Sequence, residues 1–184
     1  GTHVNFYNRI PDTDWRKRAF IGPDPDAWYE ANTDISNYAV NAHGEKFSDY
    51  FSPYASVKFR PMNGETLDYK AGNPTSVCMM RVEEMILTEI EALAYTDPAT
   101  AAAKLKEFML TRNPNYAFAG TSSEDVVAEA IWQKRVELWG EGIVFYDFKR
   151  LNMGIQNGYT GTNVPSDSRV NVSGRAPWWN FCIP

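Results

Sequence analysis

The stretch "AIWQKRVELWGEGIVFYDFKR", residues 130–150, decides how this chain is read. It begins with the apolar spacing of a helix, breaks at Gly140 and Gly142, and resumes as a shorter amphipathic segment from Ile143 to Leu151. Glycine readily adopts backbone angles that end helices, so the pair of glycines marks a turn between two helices. On such a frame Lys134 and Glu137 share a face at i,i+3, and so do Glu137 and Glu141 at i,i+4. Two acids one turn apart repel unless a cation stands between them. Arg81, Lys149 and Arg150 are the candidate partners, and a buried Glu141 of this kind predicts a loss of about 3 kcal/mol or more on truncation to alanine. The same acids, Glu137 with Glu141 or Glu141 with Asp147, also have the form of a glycosidase acid–base pair. Helix-borne acids among Leu, Trp and Arg favour ion pairing over that chemistry.

Working outward, the upstream stretch "TSSEDVV" carries a capping-box spacing at Thr121 and Glu124 and opens a helix with its apolar stripe at Val127, Ile131 and Leu138. Before it, Asp97 and Pro98 supply the N-cap and first position of a helix running through Ala102, Leu105, Phe108 and Met109 to a stop before Pro114. Earlier still, from Pro74, a helix of about five turns sets Val77, Met80, Arg81, Glu84, Leu87 and Glu91 on one face, with Val82, Met85, Ile86, Ile90 and Leu93 beside them. Helices joined by short turns pair as antiparallel hairpins. The expected fold is mainly α, with tetratricopeptide-like helical hairpins over 75–152, although no clean 34-residue repeat is present.

The flanks differ in texture. Residues 1–74 are rich in Pro, Gly, Asn, Asp and aromatics with no sustained helical period, which predicts long ordered loops and few short strands, residues 54–59 foremost among them. Tyr50 and Tyr54 read as core aromatics beside that strand. Residues 153–184 form a second loop-rich segment. At 184 residues the whole chain, 1–184, is expected to be a single domain, able to bury about 70% of its unfolded surface.

The net charge of −5 and the lack of any Lys/Arg block exclude nucleic acid and an anionic membrane surface as the main partner. His3 and His43 stand 40 positions apart, Cys78 and Cys182 are the two cysteines, and no phosphate loop or dinucleotide fingerprint occurs, so no metal and no cofactor is expected. Asp24, Asp26 and Glu30 lack the glycine and distal glutamate of a calcium loop.

The motifs together carry a resemblance. "ELWGEGIVFYDFKR" resembles the signature of the SusD/RagB family, with Glu137, Leu138, Glu141, Gly142, Asp147, Lys149 and Arg150 in place. "RVEEMILTEIEAL" is similar to a second family motif through Arg81, Glu84, Leu87, Glu91 and Ala92. "DTDWRKR" at 12–18 is similar to an Asp-x-Arg element of the family. Val144, Gln133, Glu83 and Ile90 depart from the usual pattern. The resemblance implies structural ion pairs through Arg81, Glu84, Glu137, Glu141, Asp147 and Arg150. It also implies the C-terminal part of a SusD-like outer-membrane lipoprotein, lipid-anchored through a segment outside this chain. Such a protein captures glycans or other nutrients, without being an enzyme, for a TonB-dependent SusC-like transporter.

Glycan capture needs exposed aromatic faces flanked by amide, carboxylate and guanidinium groups. Aromatics make up 14% of this chain, with six tryptophans, enough to build such a platform. The first candidate is the loop at 25–34, with Trp28, Tyr29, Asp26 and Asn32. The second is the tail, with Arg175, Trp178 and Trp179. Two other readings compete: a helical docking module of the transporter complex with no ligand of its own, and a helical glycosidase fragment. Exposure of Trp28 and Tyr29, and the placement of Glu137, Glu141 and Asp147, discriminate among them.

Overall fold

The computed structural model describes residues 2–34, 46–59 and 79–174. The chain divides into two compact units, Gly1–Val77 and Cys78–Pro184. Among the described residues there are six α-helices and two very short strands, which makes the chain mainly α.

The second unit holds the longer helices. Helix α3 (Val82–Ala94), α4 (Pro98–Leu110) and α5 (Ser123–Glu137) pack against one another around Leu87, Ile90, Ala94, Ala101, Leu105, Met109, Val126 and Ala130. The turn from α3 to α4 is short because Asp97 caps α4 at once, accepting a hydrogen bond from the Thr100 amide, with Pro98 behind it. Helix α5 is capped one residue later than the Thr121 spacing predicts. Ser122 accepts from the Asp125 amide and Asp125 returns a bond from the Ser122 amide. Both registers satisfy the three-residue rule, and the second places Val126 and Ala130 fully in the core.

Helix α3 begins at Val82, with Arg81 as its N-cap, so Met79 and Met80 precede it and stand exposed. Val77 and Cys78 lie outside the described residues. Helix α6 (Ile143–Arg150) follows α5 through a turn in which Gly140 and Gly142 both have positive φ, 77° and 82°, the left-handed conformation that glycine adopts at no steric cost. After α6, β1 (Ile155–Gln156) pairs antiparallel with β2 (Asn171–Val172). A Cβ at Gly154 would sit 1.9 Å from the Val172 carbonyl oxygen, so a side chain there is incompatible with this pairing.

In the first unit, the described residues add short helical elements to the loops expected for residues 1–74. These are α1 (Val4–Arg9), α2 (Pro25–Ala31) and single 3-10 turns at Trp15–Ala19 and Phe47–Asp49. Residues 54–59 make only a bridge, Phe20 to Ser56. Tyr54 has φ of 63°, outside the extended region a strand requires, and Tyr50 and Tyr54 are half-buried rather than core. One core cluster of this unit is Ile21, Trp28, Phe47 and Val57, and Phe6, Ile10 and Phe20 are buried as well.

Candidate functional site

The ions of the second unit gather in two clusters beside the apolar core. In the first, Arg81 reaches back from the start of α3 to the end of α5. Its Nη2 donates to Glu137 Oε1 at 2.5 Å, and its Nη1 donates to Glu141 Oε1 at 2.8 Å and to the Glu137 carbonyl. Arg112, after α4, adds bonds to both oxygens of Glu137. Glu137 is only 3% exposed and is shared by two guanidiniums. The cation expected between Glu137 and Glu141 is Arg81. Burial alone would lower the Arg81 pKa, and the neighbouring Glu141 and Glu137 carboxylates outweigh it and raise that pKa.

The third acid of this cluster is Glu83, bound to Arg81 and Arg112. This corrects the assignment of Glu84 to an ion pair: among the described residues Glu84 makes neither a salt bridge nor a side-chain hydrogen bond. Successive side chains on a helix lie about 100° apart, so one of the two adjacent acids turns toward the guanidiniums and the other turns away.

The second cluster joins α3, α5 and α6. Glu91 accepts from Lys134 at 3.0 Å and from Arg150 at 2.6 Å, and Arg150 binds Asp147 Oδ1 through Nε and Nη2. Lys134 therefore serves Glu91, and Asp147 at 3.7 Å, rather than Glu137 on its own helix. Burial pushes the Glu91 pKa up, and the bonds from Arg150 and Lys134 outweigh it and hold it below the ordinary glutamate value. Arg150 is held well above its ordinary value, first by its hydrogen bond to Glu91. Among the described residues Asp147 Oδ2 is buried without a hydrogen-bond partner, a state that costs about 1–3 kcal/mol. Gln133, standing where the resembled pattern has an acid, donates instead to Glu129, which Tyr116 also binds.

A glycosidic acid–base pair needs two carboxylates facing an open cleft. Glu137 and Glu141 instead face one guanidinium and Asp147 belongs to the other cluster, so their arrangement is that of structural ion pairs. Among the described residues no group of three or more His, Cys, Asp and Glu is placed to hold a metal. Asp24 caps α2 and Asp26 binds Ser48.

The first candidate platform is a helix, not a loop. Trp28 is 8% exposed and stacks on Phe47 at 5.6 Å, and Tyr29 stacks on the same ring at 4.9 Å. Asn32 is buried, accepts from Arg18 and donates to the Trp28 carbonyl. Asp26 is half-buried. The structure thus brings the four residues together, with the tryptophan face turned inward. Arg175, Trp178 and Trp179 lie outside the described residues, as does His43.

A different set of side chains does line an open concavity. A groove of about 810 Å³ runs between α3 and α6. Its α3 wall carries Glu84, Thr88, Glu91 and Tyr95, and its α6 wall carries Ile143, Tyr146, Asp147 and Arg150, both at helical spacing. Sequence reading named Glu84, Asp147 and Arg150 for pairing and passed over Tyr95 and Tyr146. Their signal was an aromatic on the polar side of each helix, which a search for apolar stripes does not register.

In the first unit, the Asp-x-Arg element has a physical role. Arg16 donates to Asp14 through Nε at 3.0 Å and Nη2 at 2.6 Å, with both side chains buried, and the Asp14 carboxylate also caps the following turn.

No family model matches the sequence, and no curated protein matches it. Among solved structures the chain is similar to a SusD-like carbohydrate binding protein from Bacteroides vulgatus, with a TM-score of 0.59 and 22% sequence identity over 83% of this chain. The alignment covers 28% of that protein, so this chain spans less than a third of its length. Arg81, Glu91, Glu137, Glu141, Asp147 and Arg150 are among the residues that tie α3, α5 and α6 together. The chain has the SusD-like helical fold.

Proposed function

We propose that this chain is a glycan-binding part of a SusD/RagB-family protein. In this reading it captures glycans or other nutrients without chemical turnover at a lipid-anchored position on the outer membrane, facing the surface or the periplasm, and delivers them to a TonB-dependent SusC-like transporter. The observation that carries the reading is the shared fold with a protein described as a SusD-like carbohydrate binding protein. The location of the motif residues at the helix junctions supports it further. Calorimetric titration of the full chain against soluble polysaccharides and oligosaccharides tests it: saturable heat is expected, and silence across the panel from well-folded protein would overturn it.

A second reading, a docking module without its own ligand, draws on the burial of Trp28, which removes one exposed face from the first candidate platform. It predicts capture of the transporter in a pull-down together with no glycan heat.

A further inference from the structure

We infer that the groove between α3 and α6 is a glycan-binding site, with Tyr95 and Tyr146 as its stacking faces and Glu84 and Arg150 as the groups that bond sugar hydroxyls. This rests on the glycan-binding reading above and assigns it a place. The two tyrosines are 60% and 57% exposed, and both line the same groove. An aromatic ring exposed on the wall of a concavity offers its face to the C–H side of a pyranose, and the phenol oxygen adds a donor and an acceptor. The groove's volume of about 810 Å³ falls within the range of small-ligand sites.

The polar complement is available as well as present. Glu84 lines the groove and makes no side-chain bond among the described residues. Arg150 Nη1 takes no part in the bonds that its Nε and Nη2 make to Glu91 and Asp147, and the side chain is 45% exposed. Asp147 lines the groove as a buried acid whose Oδ1 fixes Arg150 through Nε and Nη2. Lys134 and Glu91 at the base hold these groups in place through their own pairs. The groove's exposed lining is mostly apolar, Met79 and Met80 included, and the Glu84 carboxylate, a guanidinium nitrogen of Arg150 and the two tyrosine hydroxyls set polar points on it, matching the apolar faces and hydroxyl edges of a pyranose. A purely apolar helix face would leave these groups desolvated and unbonded.

The test is calorimetric titration of the full chain with soluble α- and β-glucans, xylan, mannan and pectin, repeated for Tyr95→Ala and Glu84→Gln. Tyr95 is 60% exposed and Glu84 makes no salt bridge or side-chain hydrogen bond among the described residues, and circular dichroism checks each fold. Trp15→Ala, at an exposed aromatic of the other unit, is the control. The expected result is binding by the parent chain, a loss of about tenfold or more with Tyr95→Ala, a smaller loss with Glu84→Gln, and no change with Trp15→Ala. Parent binding that both groove variants retain overturns the groove and leaves the proposed function standing. Silence of the parent chain overturns both. If Tyr95→Ala does not fold, Glu84→Gln decides alone.

Discussion

The two units are held together by different means. In the first, no described helix exceeds seven residues, too short to be stable alone in water, and one core cluster is built on stacked rings: Trp28 and Tyr29 on Phe47, and Phe47 on Phe51 at 4.6 Å. In the second, helices of 13 to 15 residues bury an aliphatic core, and charged side chains fasten their ends. Short elements need large rigid side chains to gain enough buried area per residue. Long helices gain it from aliphatic stripes, which leaves polar positions at their ends to set how neighbours register.

That contrast predicts where each unit breaks. Trp28→Ala is expected to cost about 3–5 kcal/mol, the range for truncating a buried large aromatic, read from urea unfolding. A loss under about 1 kcal/mol would show that the ring stack does not hold the first unit. Next, Glu137→Ala removes the carboxylate that Arg81 and Arg112 share and is expected to cost about 3 kcal/mol, at the low end for breaking a buried pair because Glu83 still serves both guanidiniums and Glu141 still serves Arg81. Glu141→Ala leaves Arg81 with Glu137 and Glu83, so its cost falls to about 1 kcal/mol rather than the larger loss its sequence position implies. Equal losses from the two glutamates would contradict the sharing of Glu137.

Acid sharpens the comparison. The folded Glu91 pKa lies below the ordinary value of 4.5, so the unfolded chain binds this proton first as pH falls. Its contribution is fully present above about pH 4.5 and is lost as pH drops through the lower folded value. Unfolding curves of the parent and Glu91→Gln proteins should therefore converge in stability below that pH. Curves that stay parallel would contradict the role of Glu91. The smallest effects are local: Ser122→Ala is expected to cost about 1 kcal/mol through its lost cap, and Glu84→Gln to shift stability by less than about 0.5 kcal/mol in thermal melts.

Much of the second unit was legible in the sequence. The caps at Asp97 and the turn at Gly140 and Gly142 depend on chemistry within a few residues, and the spans of α4 and α6 followed from it. The candidate site was less legible. Glu83 and Glu84 are equivalent to any local rule, and so are Lys134 pairing with Glu137 or with Glu91. The choice depends on where a neighbouring helix places its partner. The 25–34 segment reads as a loop because its proline, aspartates and asparagine are turn residues, whereas here Asp24 and Pro25 start a helix that packing against Phe47 then stabilises.

The sequence by itself determined the helical class, the cap at Asp97, the turn at Gly140 and Gly142, and a motif set that resembles that of the SusD/RagB family, because each is encoded in spacing along one chain segment. Only the tertiary structure decided that Trp28 turns inward, that Glu83 rather than Glu84 joins the guanidiniums, and that Tyr95 and Tyr146 share a groove. Helical periodicity gives the angle between side chains on one helix, while the partner each one meets depends on how whole helices pack.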